Sequence, residues 1–176
     1  MYSGIKSLAN EDMITCIKRN VIHSSCDILV LTANPSLLAG SGVSGVIHKA
    51  AGPQLEIAAK AFAPISPGEA IITPGFNLSA KYVIHTVCPR FMNGKRDEEE
   101  LLAAAYSNAL AFYNQIPGAK SIAFVSMGTG VYKWPMVLAA EIAVKELLKS
   151  RFKENYMCVL DEEIRLIYQS ALDRYS

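Results

Sequence analysis

Short apolar runs alternate with longer stretches of helical spacing along most of this chain, and that alternation admits few folds. Residues 27–33, 69–73, 81–87, 122–126 and 156–160 read as strands. They are brief, apolar or rich in β-branched residues, and bounded by turn formers. Apolar residues recur three and four apart over 46–51, 54–62, 98–115, 135–150 and 162–173, which gives a helix one buried face. Positions 101, 102, 105, 109 and 112 carry that face in the longest of these helices. Asp97 is its expected N-cap, and Pro135 is expected to open the next helix. Gly52-Pro53 separates the first two. Two further strands, 4–8 and 13–19, are expected near the start, with 10–12 as the turn between them. Strands joined through helices pair in parallel, and their helices cover both faces of the sheet. The expected fold is therefore α/β with a largely parallel sheet. One domain, spanning 1–176, suits this length.

Hydrophobic residues make up 51% of the chain, enough for a sizeable core. The net charge is +1, and lysine and arginine are spread along the sequence. Nothing here resembles the electrostatic footprint of a nucleic-acid binder. An anionic ligand has to be held locally, by backbone groups or a few side chains. Cys16, Cys26, Cys88 and Cys158 have no metal-ligand spacing and lie in apolar or strand-like runs. They are expected to be free thiols in a reducing compartment, and no metal or cofactor is expected. The first residues lack a signal-peptide core, and no apolar run is long enough to span a bilayer. A soluble cytoplasmic protein without a membrane partner is expected; the oligomeric state cannot be read.

Two glycine-bearing loops follow strands that should be central. The first, 34–45, contains Gly40, Gly42 and Gly45 in a G-x-G-x-x-G pattern; the second is 126–135. A loop between a strand's end and a helix's start turns free backbone N–H groups toward a ligand, beside the positive end of the helix dipole. That arrangement binds phosphate. In open α/β sheets ligands sit beyond the carboxyl ends of the strands, so two such loops side by side could clamp a diphosphate. The pattern is not the dinucleotide-binding fingerprint, because residues 34–39 intervene before the first glycine and no acidic residue ends the next strand. No Gly-Lys-Ser/Thr is present for a Walker loop. Gly42-Val43-Ser44-Gly45 is not G-x-S-x-G either, so Ser44 is no nucleophile elbow.

The segment 27–52 resembles the signature of macrodomains, the ADP-ribose-binding modules. PGEAIITPGFNLSAKYVIHTVCPRF (67–91), GTGVYKWP (128–135) and VLDEEIRLIYQSAL (159–172) agree with the same family in the same order. The resemblance implies a three-layer fold with a mixed sheet of about six strands between helices. It also implies a ligand, ADP-ribose or ADP-ribosylated protein. Asn20 stands where the family has an acid that accepts from the adenine amino group, and Val21 fits the neighbouring backbone contact. An amide oxygen accepts such a bond more weakly than a carboxylate. The family's Asn-Ala-Ala-Asn becomes Leu31-Thr32-Ala33-Asn34, which keeps the last asparagine, a distal-ribose contact. Gly40, Ser41, Gly42 and Val43 match the loop that brings amides to the diphosphate and distal ribose. Ser126, Gly128, Thr129, Gly130, Val131 and Tyr132 belong to the second diphosphate loop, with Tyr132 against the distal ribose. Leu160 is expected to offer adenine an apolar face. Trp134 reads as core, Lys133 as a solvated charge, and His48 and His85 as packing residues.

Ser44 is the important departure. Many hydrolytic macrodomains have an aspartate there, assigned to activate or position water near the anomeric carbon. A serine hydroxyl can orient water but is no resting base at neutral pH, and general-base help contributes about 10²–10⁴-fold. Some relatives with alanine at this place still hydrolyse ADP-ribosyl groups. Three functions therefore stand: a hydrolase of mono-ADP-ribosylated protein or O-acetyl-ADP-ribose, with Asn34 and Ser44 as catalytic candidates; a non-catalytic ADP-ribose reader; and a binder of another nucleotide, since Asn20 and Leu31 alter specificity positions.

Overall fold

A computed structural model describes residues 13–176. The strand expected at 4–8 and the turn at 10–12 lie outside the described residues. Six strands and five helices follow: β1 (Met13–Lys18), β2 (Ile28–Thr32), α1 (Gly42–Ala51), α2 (Gln54–Lys60), β3 (Ala70–Pro74), β4 (Tyr82–Thr86), α3 (Arg96–Ala111), β5 (Ser121–Val125), α4 (Met136–Leu147), β6 (Glu154–Val159) and α5 (Glu162–Tyr175). The sheet order is β1-β6-β5-β2-β4-β3. Every pair is parallel except β3–β4. That exception follows from its connection, which is too short to carry a crossover helix.

Alternation of side chains along the strands divides the core in two. Ile28, Val30, Ile84, Ile122 and Phe124 face one helical layer, packing with residues of α3, α4 and α5. Leu29, Leu31, Val83, Ala123 and Val125 face the other, with Ile47, Ala51, Leu55 and Ala59 of α1 and α2. The helices thus cover both faces, and the central strands β5 and β2 are buried on both. The expected fold class holds.

Two helix starts differ from expectation. The first helix begins at Gly42, not at 46, so the second half of the glycine pattern is its opening turn. The longest helix begins at Arg96 with Lys95 at the N-cap; Asp97 lies inside the first turn with Glu98 and Glu99. There the acids still meet the positive end of the helix dipole. Glu98 also accepts from the backbone N–H groups of Met92, Asn93 and Gly94, which ties the preceding loop to the helix. The helix ends at Ala111 and tightens into a 3-10 turn, Phe112–Gln115. No helix among the described residues is long and apolar enough to cross a membrane.

His85, on β4, is fully buried, with Nε2 3.0 Å from the Thr73 hydroxyl and Nδ1 unpartnered. Burial, helped by the neighbouring His48, pushes its pKa down to about 3. An unfolded histidine titrates near 6.5. Between those values the unfolded chain binds a proton that the folded chain refuses, so stability falls as pH drops. The slope contributed is up to ~1.4 kcal/mol per pH unit. Urea midpoints should accordingly decline from pH 7 to pH 5, and His85→Gln should flatten the decline. An unaltered slope in His85→Gln would assign the acid sensitivity elsewhere.

Candidate functional site

β2 and β5 are adjacent and parallel, so their carboxyl ends release the two glycine loops on the same edge of the sheet. Between the loops lies a cleft of about 420 Å³. Ala33, Asn34, Gly40, Ser41, Gly42, Val43 and Ser44 line it from one side; Ser126, Gly128, Gly130, Val131 and Tyr132 line it from the other. Thr32 and Val125, which sequence reasoning did not single out as site residues, complete the wall. Among the described residues, none that lines the cleft carries a charge.

The first loop is held by its own side chains. Asn34 Nδ2 donates to the Leu38 carbonyl (2.9 Å), and Leu38 N–H donates to Asn34 Oδ1 (3.2 Å). Leu37 is buried, with a positive φ of 56°. Glu56, on α2, reaches across to accept the Ala39 N–H at 2.6 Å. Gly45 is required because a Cβ there would overlap the Gly40 carbonyl oxygen. Its role is packing of the loop against the first turn of α1. That turn contains no acidic residue, and Ser41 at the N-cap makes no side-chain cap bond. Its N–H groups are therefore positioned to receive an anion from the cleft.

The second loop is latched from behind. Trp134 donates from Nε1 to the Pro89 carbonyl (2.8 Å), and its backbone N–H donates to the Gly128 carbonyl (3.0 Å). Gly128 has φ +77°, and a Cβ on it would come within 2.5 Å of the indole. Trp134 is core, as expected. Tyr132 is steadied by Phe91, whose N–H donates to its carbonyl (2.9 Å), and by the Arg90 guanidinium, 5.0 Å from its ring centroid. Lys133 is exposed, at φ +58°. Thr129 is absent from the lining; its hydroxyl pairs with Ser126 Oγ (2.9 Å), which also pairs with the Tyr168 hydroxyl (2.7 Å). Burial pushes the Tyr168 phenol up to about 12, so it stays protonated.

Besides Thr129, three expected ligand residues stand apart from this lining. Asn20 caps a 3-10 turn, Val21–His23, its Oδ1 accepting the Ile22 N–H at 3.2 Å. Val21 is buried in the cluster that contains Ala33 and Val125. Leu160 is exposed, directly after β6. His48 and His85 lie outside the lining, 6.2 Å apart between ring centroids. The oxygens Ser44 Oγ and Thr32 Oγ1 are buried without a partner. Of the additional residues, Glu56 and Arg90 gave no sequence signal, because each acts through a contact distant along the chain.

A family model described as Macro domain matches residues 30–143. The Macro domain-containing protein RSc0334 of Ralstonia nicotianae is 40% identical over 162 residues, which cover 91% of this chain and 94% of the relative. The O-acetyl-ADP-ribose deacetylase of Cronobacter turicensis is 40% identical over 171 residues, covering 92% and 97%. Among solved structures, a mutant of the Oceanobacillus iheyensis macrodomain with ADPR is similar at a TM-score of 0.84 and 34% identity, over 92% of this chain and 90% of that one. The Trypanosoma brucei macrodomain in complex with ADP-ribose gives 0.79 and 30%, over 90% and 68%.

Proposed function

The chain belongs to the Macro domain family, and from that premise we propose that it binds ADP-ribose in the cleft between its glycine loops and hydrolyses ADP-ribose conjugates. The conjugate is mono-ADP-ribosylated protein or O-acetyl-ADP-ribose. The observation that carries this reading is the pair of loops leaving adjacent central strands around an uncharged cleft. A diphosphate held there is met by backbone N–H groups and the positive end of α1. The distal ribose lies between Asn34 and Tyr132. The adenosine half extends past Val125 toward Asn20, Val21 and Leu160. Relatives named O-acetyl-ADP-ribose deacetylase support the hydrolytic half.

In this reading Asn34 uses Oδ1 and one Nδ2 hydrogen to hold the loop and offers its second Nδ2 hydrogen to the ribose or to water. Ser44 orients water by hydrogen bonding. One observation favours a second reading, that of a non-catalytic ADP-ribose reader: among the described residues no carboxylate lines the cleft to serve as a general base. Turnover assays on both conjugate types, run beside calorimetry, separate the two. ADP-ribose should bind in the micromolar range, roughly −7 to −9 kcal/mol. Adenosine, which lacks the diphosphate, should bind far more weakly. Equal affinities for the two would refute the two-loop clamp.

A further inference from the structure

The hydroxyl of Thr32 is used by nothing described so far. Thr32 ends β2 and pairs in register with Thr86 on β4. On its other side Val30 pairs with Phe124, which brings Ser126, two residues further along, level with Thr32. Side chains two apart share a face. Val30, Ile84 and Phe124 all belong to one core cluster, so Thr86, Thr32 and Ser126 form a row on that face at the sheet's carboxyl edge. The outer two hydroxyls are satisfied. Thr86 Oγ1 is 3.0 Å from the Glu69 carbonyl and 3.2 Å from that of Ala105. Ser126 Oγ pairs with Tyr168 and Thr129. The middle hydroxyl, Thr32 Oγ1, is buried and has no protein partner, although the residue lines the cleft.

Buried hydroxyls in folded proteins almost always have a partner, and an exception calls for a reason. A valine would fill this position equally well. Among the described residues no lysine or arginine lines the cleft, so neutral donors there do the hydrogen bonding to an anion seated in it. We propose that Thr32 is a ligand contact, its hydroxyl donating to an anionic oxygen of the diphosphate. The proposal rests on the reading of the cleft as an ADP-ribose site. One staggered step about χ1 carries the hydroxyl into the place the methyl holds, with the methyl moving to the hydrogen's place, and turns the donor toward the ligand. Bonds to charged acceptors are about twice as strong as neutral ones.

Thr32→Val keeps the shape and removes the donor; Thr32→Ser keeps the donor. Calorimetry with ADP-ribose, ADP and adenosine, beside thermal melting, tests the assignment. Thr32→Val should lose about tenfold in affinity for ADP-ribose and for ADP, the size of one hydrogen bond to a charged group. Its melting temperature should hold or rise, because an unpaired buried hydroxyl has gone. Thr32→Ser should stay within about threefold of wild type, and adenosine should not distinguish the variants. Wild-type affinity in a folded Thr32→Val protein would overturn the assignment. So would a loss shared equally by adenosine, or one that Thr32→Ser fails to restore. Failure of the wild type itself to bind ADP-ribose or ADP would instead remove the cleft reading beneath it.

Discussion

Gly130→Glu should abolish ADP-ribose binding and leave the fold standing. A Cβ built on Gly130 meets nothing within 4 Å, and the residue has no positive φ that a side chain would strain. The backbone there can carry a side chain; the cleft beside it then cannot admit the ligand. Glutamate adds bulk and a negative charge where the proposed diphosphate lies, and among the described residues no lining cation offsets it. Affinity should fall at least about a hundredfold, or ~2.7 kcal/mol. Gly130→Ala, small and neutral, should stay within about threefold, under ~0.7 kcal/mol. Gly128 makes the contrast. Its substitution meets the Trp134 ring and a positive φ, so Gly128→Ala should lower the melting temperature instead. Circular dichroism and calorimetry on the three variants distinguish ligand approach from loop packing. A folded Gly130→Glu protein with unchanged affinity would mean that the diphosphate lies elsewhere.

These two glycines mark the boundary of what was legible beforehand. The strands were legible because each is a short apolar run whose period and length differ from its neighbours, and β2 and β5 were read within a residue or two. Most of the cleft followed from them, since the loops sit wherever central parallel strands end. The start of α1 was not legible. Glycine is a poor helix former, so Gly42-Val43-Ser44-Gly45 reads as loop. In the structure Gly45 lies inside the helix, and its close approach to the Gly40 carbonyl five residues back leaves no room for a side chain. Local propensity loses there to backbone packing. Asp97 reads as a cap for the opposite reason: its local signal is strong, yet helical geometry begins at Arg96, one residue before it. Thr32 looked like an ordinary strand residue. Its unpaired hydroxyl becomes apparent only once the strand order sets it between Thr86 and Ser126. The family resemblance implied a mixed sheet without saying which pair runs antiparallel; that pair is β3–β4, explained locally by a connection without a helix.

The chemistry is best tested at Asn34. Its carboxamide already accepts from Leu38 N–H and donates to the Leu38 carbonyl, so Asn34→Ala removes a loop brace and a proposed ligand donor together. A hydrolase should lose more than about a hundredfold in kcat/KM, ~2.7 kcal/mol of transition-state stabilisation. Ser44→Ala removes only a hydroxyl that has no partner, and should cost less than about tenfold, or ~1.4 kcal/mol. Ser44→Asp places a carboxylate in the first turn of α1, which has no acid of its own. The helix dipole favours it there, and it can accept a proton from water. Turnover should therefore rise wherever binding persists. Repulsion of the diphosphate opposes that gain, so affinity is measured on the same protein. A pure reader behaves differently: wild type shows no turnover above background, and Asn34→Ala changes affinity alone. A wild-type rate that Asn34→Ala leaves intact would eliminate this hydrolytic site.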